Sequence, residues 1–194
     1  QCTMGDSLTF KGSGELDNGM TVSVSYEYDD DEGDLNGGGT DNPGFDSHSI
    51  KLSSDEMGTL TFAGHGGATA MDSMDDKTPN AYEESWDNLD TAYSYGKADS
   101  DMTGGLVYTN SFSGVDVNLL FRKGGASSNA DGATGGEGGG HQAITLQSSS
   151  LGVDGLKVGV GFSKEDGYAD GDDEQSTAYV TYASPTGLSV GYQV

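Results

Sequence analysis

Cysteine occurs once, at Cys2, so no internal disulfide framework can form. Three prolines and the lack of a Gly-x-y repeat exclude a collagen-type chain, although glycine supplies 33 of the 194 residues. Apolar residues never run more than three in succession, far short of the roughly 20 that a membrane-spanning helix needs. No basic segment leading into an apolar one opens the chain, so no signal peptide is read there. Starting at Gln1, the chain is expected to be processed or an interior segment. Basic residues are also scarce: 8 Lys and Arg stand against 32 Asp and Glu, for a net charge of −24. Such a surface repels phosphate backbones, which excludes sequence-tolerant nucleic-acid binding. Anionic headgroups would repel it too, unless something other than charge holds it there. A disordered acidic chain, a halophile-type soluble protein, a secreted calcium binder and a β-barrel remain.

Disorder is the usual outcome of low hydrophobicity and high net charge, but the residues alternate. From Met20 to Tyr28 the even positions are Met20, Val22, Val24, Tyr26 and Tyr28, and the odd ones Thr21, Ser23, Ser25 and Glu27. A period of two marks a strand with one apolar and one polar face. It recurs in Ser7–Leu16, His48–Ser53, Thr59–Gly64, Leu106–Phe112, Val115–Arg122, around Ile144 and Leu146, in Leu156–Ser163, Thr177–Tyr182 and Leu188–Val194. Leu106–Phe112, where Leu106, Tyr108 and Phe112 alternate with Val107, Thr109 and Ser111, is the least clean case. Ten strands and one helix are predicted.

Short turns are predicted at Asp17-Asn18-Gly19, Asp55–Gly58, Ser113-Gly114, Leu151–Gly155 and Ser184–Gly187, where Gly supplies positive φ and Pro185 presets φ. Between them lie long polar connections over 29–46, 65–104, 124–140 and 165–175. Strict alternation of short turns and long loops is what a transmembrane barrel shows. The apolar face is thin, with less volume than a soluble core needs, whereas lipid tails fill any outer wall. A soluble acidic β-sandwich with half-exposed sheets is the plainer alternative.

The alternating strands, the turn Leu16-Asp17-Asn18-Gly19-Met20 and the run from Ser53 to Phe62 resemble the general diffusion porins of Gram-negative bacteria, and those of alphaproteobacteria most. The resemblance covers essentially the whole chain. It implies an all-β fold: a transmembrane antiparallel up-and-down β-barrel of about sixteen strands, usually a homotrimer in the cell outer membrane, with one long loop folded inward. It also implies passive diffusion of ions and small hydrophilic solutes, with no enzymatic chemistry. The partners so implied are outer-membrane lipid and lipopolysaccharide. Residues 1–194 would form a single barrel domain running from the second strand to the eleventh, incomplete at both ends, and 65–104 would be its pore-constricting third loop.

Within that loop, Asn80 reads as an N-cap with Glu83 three residues on, the spacing of a capping box. Tyr82, Trp86, Leu89 and Tyr93 follow as one apolar stripe. The resemblance implies that Asp72, Asp75, Asp76, Glu83, Glu84, Asp87 and Asp90 face the constriction; a surface helix with a solvated acidic face is the other reading. Lys11, Lys51, Arg122 and Lys157 share the parity of the polar face, as basic residues of a pore wall would. Lipid-facing Lys or Arg costs roughly 2–4 kcal/mol at mid-membrane, so parity alone requires them to point inward. With acids dominant, the focused negative potential predicts cation preference.

Two other classes stay open. Ten strands can close alone, as in outer-membrane proteases that use Asp and His, but His48, His65 and His141 are scattered and match no metal-ligand spacing. The acidic runs Asp29–Asp34 and Asp170–Glu174 are rich in hard oxygen ligands, as in a secreted calcium-binding β module, yet match neither an EF-hand nor a nonapeptide repeat. No cofactor is expected beyond Ca2+ or Mg2+ held weakly by these acidic loops. No P-loop, nucleophile elbow or dinucleotide motif occurs.

Overall fold

The computed structural model describes residues 8–28, 45–65, 70–74, 77, 104–123, 140–165 and 173–194. The strands are Leu8–Glu15 (β1), Thr21–Tyr28 (β2), Phe45–Ser54 (β3), Gly58–His65 (β4), Gly105–Phe112 (β5), Val115–Arg122 (β6), His141–Ser148 (β7), Leu156–Glu165 (β8), Asp173–Ala183 (β9) and Ser189–Gln193 (β10). All ten join one antiparallel sheet in sequence order, so every predicted strand is present with its ends moved by a few residues. β1 and β10 are not paired with each other, and the sheet is not closed by these ten strands.

Each strand is joined to the next by an adjacent connection, and all the short turns fall at one end of the sheet. In the first, the Gly19 N–H donates to the Leu16 carbonyl at 2.9 Å while Asn18 Oδ1 accepts from the Met20 N–H at 3.1 Å. The tightest, Ser113-Gly114, holds both residues at positive φ (52° and 81°), the geometry that matches a hairpin turn to the twist of its strands. Because turn length fixes register and a slip by one residue would reverse both faces, these turns decide which side chains meet lipid and which meet water.

The resulting burial is inverted relative to a soluble protein. Phe10, Phe121 and Phe162 are 59%, 53% and 55% exposed, whereas His141 and Thr145 are fully buried and Thr177 is 4% exposed. Leu60, Phe62, Leu106, Leu119, Ile144, Leu146, Val160 and Val180 stand exposed on the same face as the three phenylalanines. At its long-loop end this face carries Phe10, Tyr26, Phe62, Phe121 and Phe162, as the aromatic girdle of a membrane barrel does. The Tyr26 ring stacks on His48 with centroids 6.3 Å apart. Lys164 and Glu174, register partners on this face, form an ion pair at 3.7 Å near the same end. No helix among the described residues is long and apolar enough to cross a membrane.

Candidate functional site

The opposite face carries the residues whose sequence parity is polar, and there the chain after β4 comes to rest. It leaves β4 at His65 and returns at Gly104, whose N–H donates to the Ala63 carbonyl at 2.8 Å. Between these points Met71–Met74 forms a 3-10 turn packed on β7 and β8, three and four strands away in the sheet. The turn is absent from the sequence-based expectation.

Apolar and polar contacts both seat it. Met71 and Met74 are fully buried. Met71 joins Ala70 and the inner-face residues Ala63, Val107, Leu120 and Ala143 in one apolar cluster. The imperfect alternation of β5 thereby finds its cause: Val107 and Leu120 break the polar pattern because the loop lies over them. Room is made by Gly161 on β8, where a Cβ would sit 3.1 Å from Met71 Sδ and 3.2 Å from Met74 Cγ.

Ser73 is the polar hub. Its Oγ lies 3.0 Å from Thr145 Oγ1 and 2.7 Å from the Ala70 carbonyl oxygen, and accepts from Asn118 Nδ2 at 3.2 Å and Gln147 Nε2 at 2.9 Å. Asn118 Nδ2 also reaches Thr145 Oγ1 at 3.0 Å. From there the contacts continue across the sheet. Tyr179 Oη donates to Gln147 Oε1 at 2.9 Å, and Gln193 Nε2 on β10 donates to the Met74 carbonyl at 2.9 Å and to Thr177 Oγ1 at 3.1 Å. Lys77 Nζ stands 6.0 Å from the Tyr179 ring centroid. Ala70–Met74, with Lys77, thus form a strap tied to β6, β7, β8, β9 and β10.

Of the acids expected at a constriction, Asp72 lies in this turn, half-buried. Asp75, Asp76, Glu83, Glu84, Asp87 and Asp90, with the predicted helix after Asn80, lie outside the described residues. Lys11, Lys51, Arg122 and Lys157 share the loop-bearing face but occupy three places. Lys11 and Lys51 line one concavity on β1–β3. Lys157 lies in another with Lys77, Asp116, Gln147 and Tyr179. Arg122 is the register partner of His141 at the long-loop end. Sequence reading missed Ser73, Met71 and Met74 as anchors; the only sequence signals were glycines at inner positions of β8 and apolar residues at inner positions of β5 and β6. Among the described residues no group of three or more His, Cys, Asp or Glu is placed to hold a metal.

A single meandering sheet with its apolar face bare and a loop tied across its polar face has the build of a transmembrane β-barrel wall. The family model of the Gram-negative porin matches residues 2–194, and the chain belongs to that family. Its place is therefore the outer membrane, and the family is one of porins, not of enzymes. Two solved forms of the Rhodopseudomonas blastica porin superpose over 96% of this chain and 62% of their own length. A double-substituted form gives a TM-score of 0.60 at 19% identity, and a triple-substituted form 0.61 at 18%. The chain thus spans about 62% of the solved porin chains it matches. No curated protein sequence matches it.

Proposed function

We propose that this chain forms the wall and inward loop of a water-filled outer-membrane channel for passive diffusion of ions and small hydrophilic solutes. The observation that carries this reading is the strap formed by Ala70–Met74 with Lys77. A loop that merely capped the outside would have no reason to bury Met71 and Met74 and bond half-buried Ser73 against the polar face of strands three to six positions away. Seated there, the loop 65–104 narrows the duct. Asp72 enters with it, and Asp75, Asp76, Glu83, Glu84, Asp87 and Asp90 follow in the same loop to supply the negative side of the constriction. Lys11, Lys51, Arg122 and Lys157 supply its basic wall. With a net charge of −24, the lumen concentrates cations and the channel prefers them.

The bare apolar face supports burial in lipid and, over part of its circumference, against further copies in a homotrimer. Lipopolysaccharide surrounds the long-loop end, with Ca2+ or Mg2+ bridging weakly to the acidic loops. A protease or a secreted calcium-binding module has no specific observation in its favour. Planar-bilayer recording of the purified native protein in a salt gradient tests the reading. Ohmic steps in groups of three with a cation-selective reversal potential are expected; folded protein that conducts nothing overturns it.

A further inference from the structure

On the inner side of β1, β2 and β3 the register sets six polar residues in a two-by-three grid. Lys11, Ser25 and Ser49 stand opposite one another in one row, and Ser13, Ser23 and Lys51 in the next. The lysines take opposite corners, about 12 Å apart at Cα from ordinary strand spacing and rise. Their flexible four-carbon stems are long enough to reach toward the central Ser23 and Ser25. The six residues, with Gly12 and Val24, line a concavity of about 450 Å³.

The grid has three properties that set it apart from the rest of the wall. Acids outnumber bases 32 to 8 in the chain, yet two of those bases and no acid line this concavity. Glu27 and Glu15 lie one register row beyond it on either side. Among the described residues none of the six side chains has a hydrogen-bond or ion-pair partner, whereas the serines just outside are engaged: Ser47 Oγ donates to Glu27 Oε2 at 3.2 Å, and Ser53 Oγ to the Thr21 carbonyl at 3.5 Å. Every polar side chain in the grid can donate. Ammonium groups cannot accept, and hydroxyls donate as readily as they accept. Such an array matches an anion with several oxygens directed apart, and charge-assisted hydrogen bonds to oxyanions are the stronger kind.

We propose that this grid is a docking station for the phosphate group of small solutes, either inorganic phosphate or a simple phosphate ester. Its physiological sense rests on the channel reading: in a duct whose potential repels anions, a local cluster of cations and hydroxyls gives phosphate a foothold on the wall. A halide, with one centre, uses only part of the grid. The lysines supply the charge and the serines the preference for phosphate.

The test is titration of inorganic phosphate into the detergent-folded native protein at fixed ionic strength, paired with bilayer conductance in KCl as phosphate is added. Saturable binding and a saturable phosphate-dependent drop in conductance are expected. Ser23→Ala with Ser25→Ala, which leaves the charge intact, should weaken phosphate by about tenfold, the value of some 1.4 kcal/mol in lost hydrogen bonds. Lys11→Gln with Lys51→Gln should abolish saturation. A sugar phosphate in place of phosphate tells whether esters enter; no response to either probe, or equal binding by the serine variant and the wild type, overturns the station. Heat-modifiable gel mobility confirms folding, and Ser23→Ala or Lys51→Gln alone replaces a double variant that fails to fold. Phosphate binding without conductance would fault the channel reading, and conductance without phosphate binding would fault the station.

Discussion

At the residue scale, the loop's attachment turns on Ser73 and Gly161, which act by opposite means. Ser73 Oγ meets Asn118, Thr145 and Gln147 at 3.2, 3.0 and 2.9 Å. A net value near 0.5–1.5 kcal/mol for each neutral hydrogen bond makes Ser73→Ala a loss of about 2 kcal/mol in seating, since Asn118 and Thr145 retain each other. The barrel itself should be unaffected. In single-channel recording the variant is expected to show greater open-channel current noise at unchanged thermal stability; wild-type noise would mean that the apolar cluster alone holds the strap. Gly161→Val acts by volume. Its Cβ would lie 3.1–3.2 Å from Met71, Met74 and Thr177, so the branched side chain must displace the fully buried methionines. The same rise in noise is expected, together with faster proteolysis between residues 66 and 103.

At the scale of the strand, facing is the decisive property, and adjacent positions should respond differently. Leu60 stands exposed on the apolar face of β4 and Thr61 lies half-buried on the polar face. Leu60→Lys should destabilise the folded barrel by roughly 2–4 kcal/mol near mid-membrane, whereas Thr61→Lys should leave the denaturant midpoint nearly unchanged and shift ion selectivity. Unfolding in lipid vesicles measures the first effect and reversal potentials the second. The strands were legible because period-two alternation is local, as in Met20–Tyr28, and because turns such as Asn18-Gly19 punctuate it. The parity of Lys11, Lys51, Arg122 and Lys157 was legible for the same reason. Their separation into three places was not, because lateral grouping depends on register across several strands. The turn Met71–Met74 was invisible for a related reason: Met-Asp-Ser-Met has no periodicity, and its burial depends on a glycine some ninety residues further along. Val107 sits in the strand whose alternation was least clean, and only the structure shows that Ala70 and Met71 cover it.

For the whole molecule, the channel reading makes charge the selector of what passes, and the reach of charge depends on salt. On that reading, a chain with 32 acids and 8 bases would surround its lumen with a negative potential that extends about 30 Å at 0.01 M salt but only about 3 Å at 1 M. If the proposed cation preference arises from this general field, it should be strong in dilute salt and nearly vanish at 1 M. If it arises from loop acids held close across a narrow constriction, much of it should survive high salt, because ions there pass within a few ångströms of the carboxylates. Neutralising Glu83, Glu84 and Asp87 together separates the two. At 1 M salt the triple variant should lose most of the remaining preference for cations when the loop forms the constriction. Selectivity equal to that of the wild type at 1 M would place those three acids away from the ion path. The strap Ala70–Met74 would then be a brace for the wall, with the field of the whole chain acting as the filter.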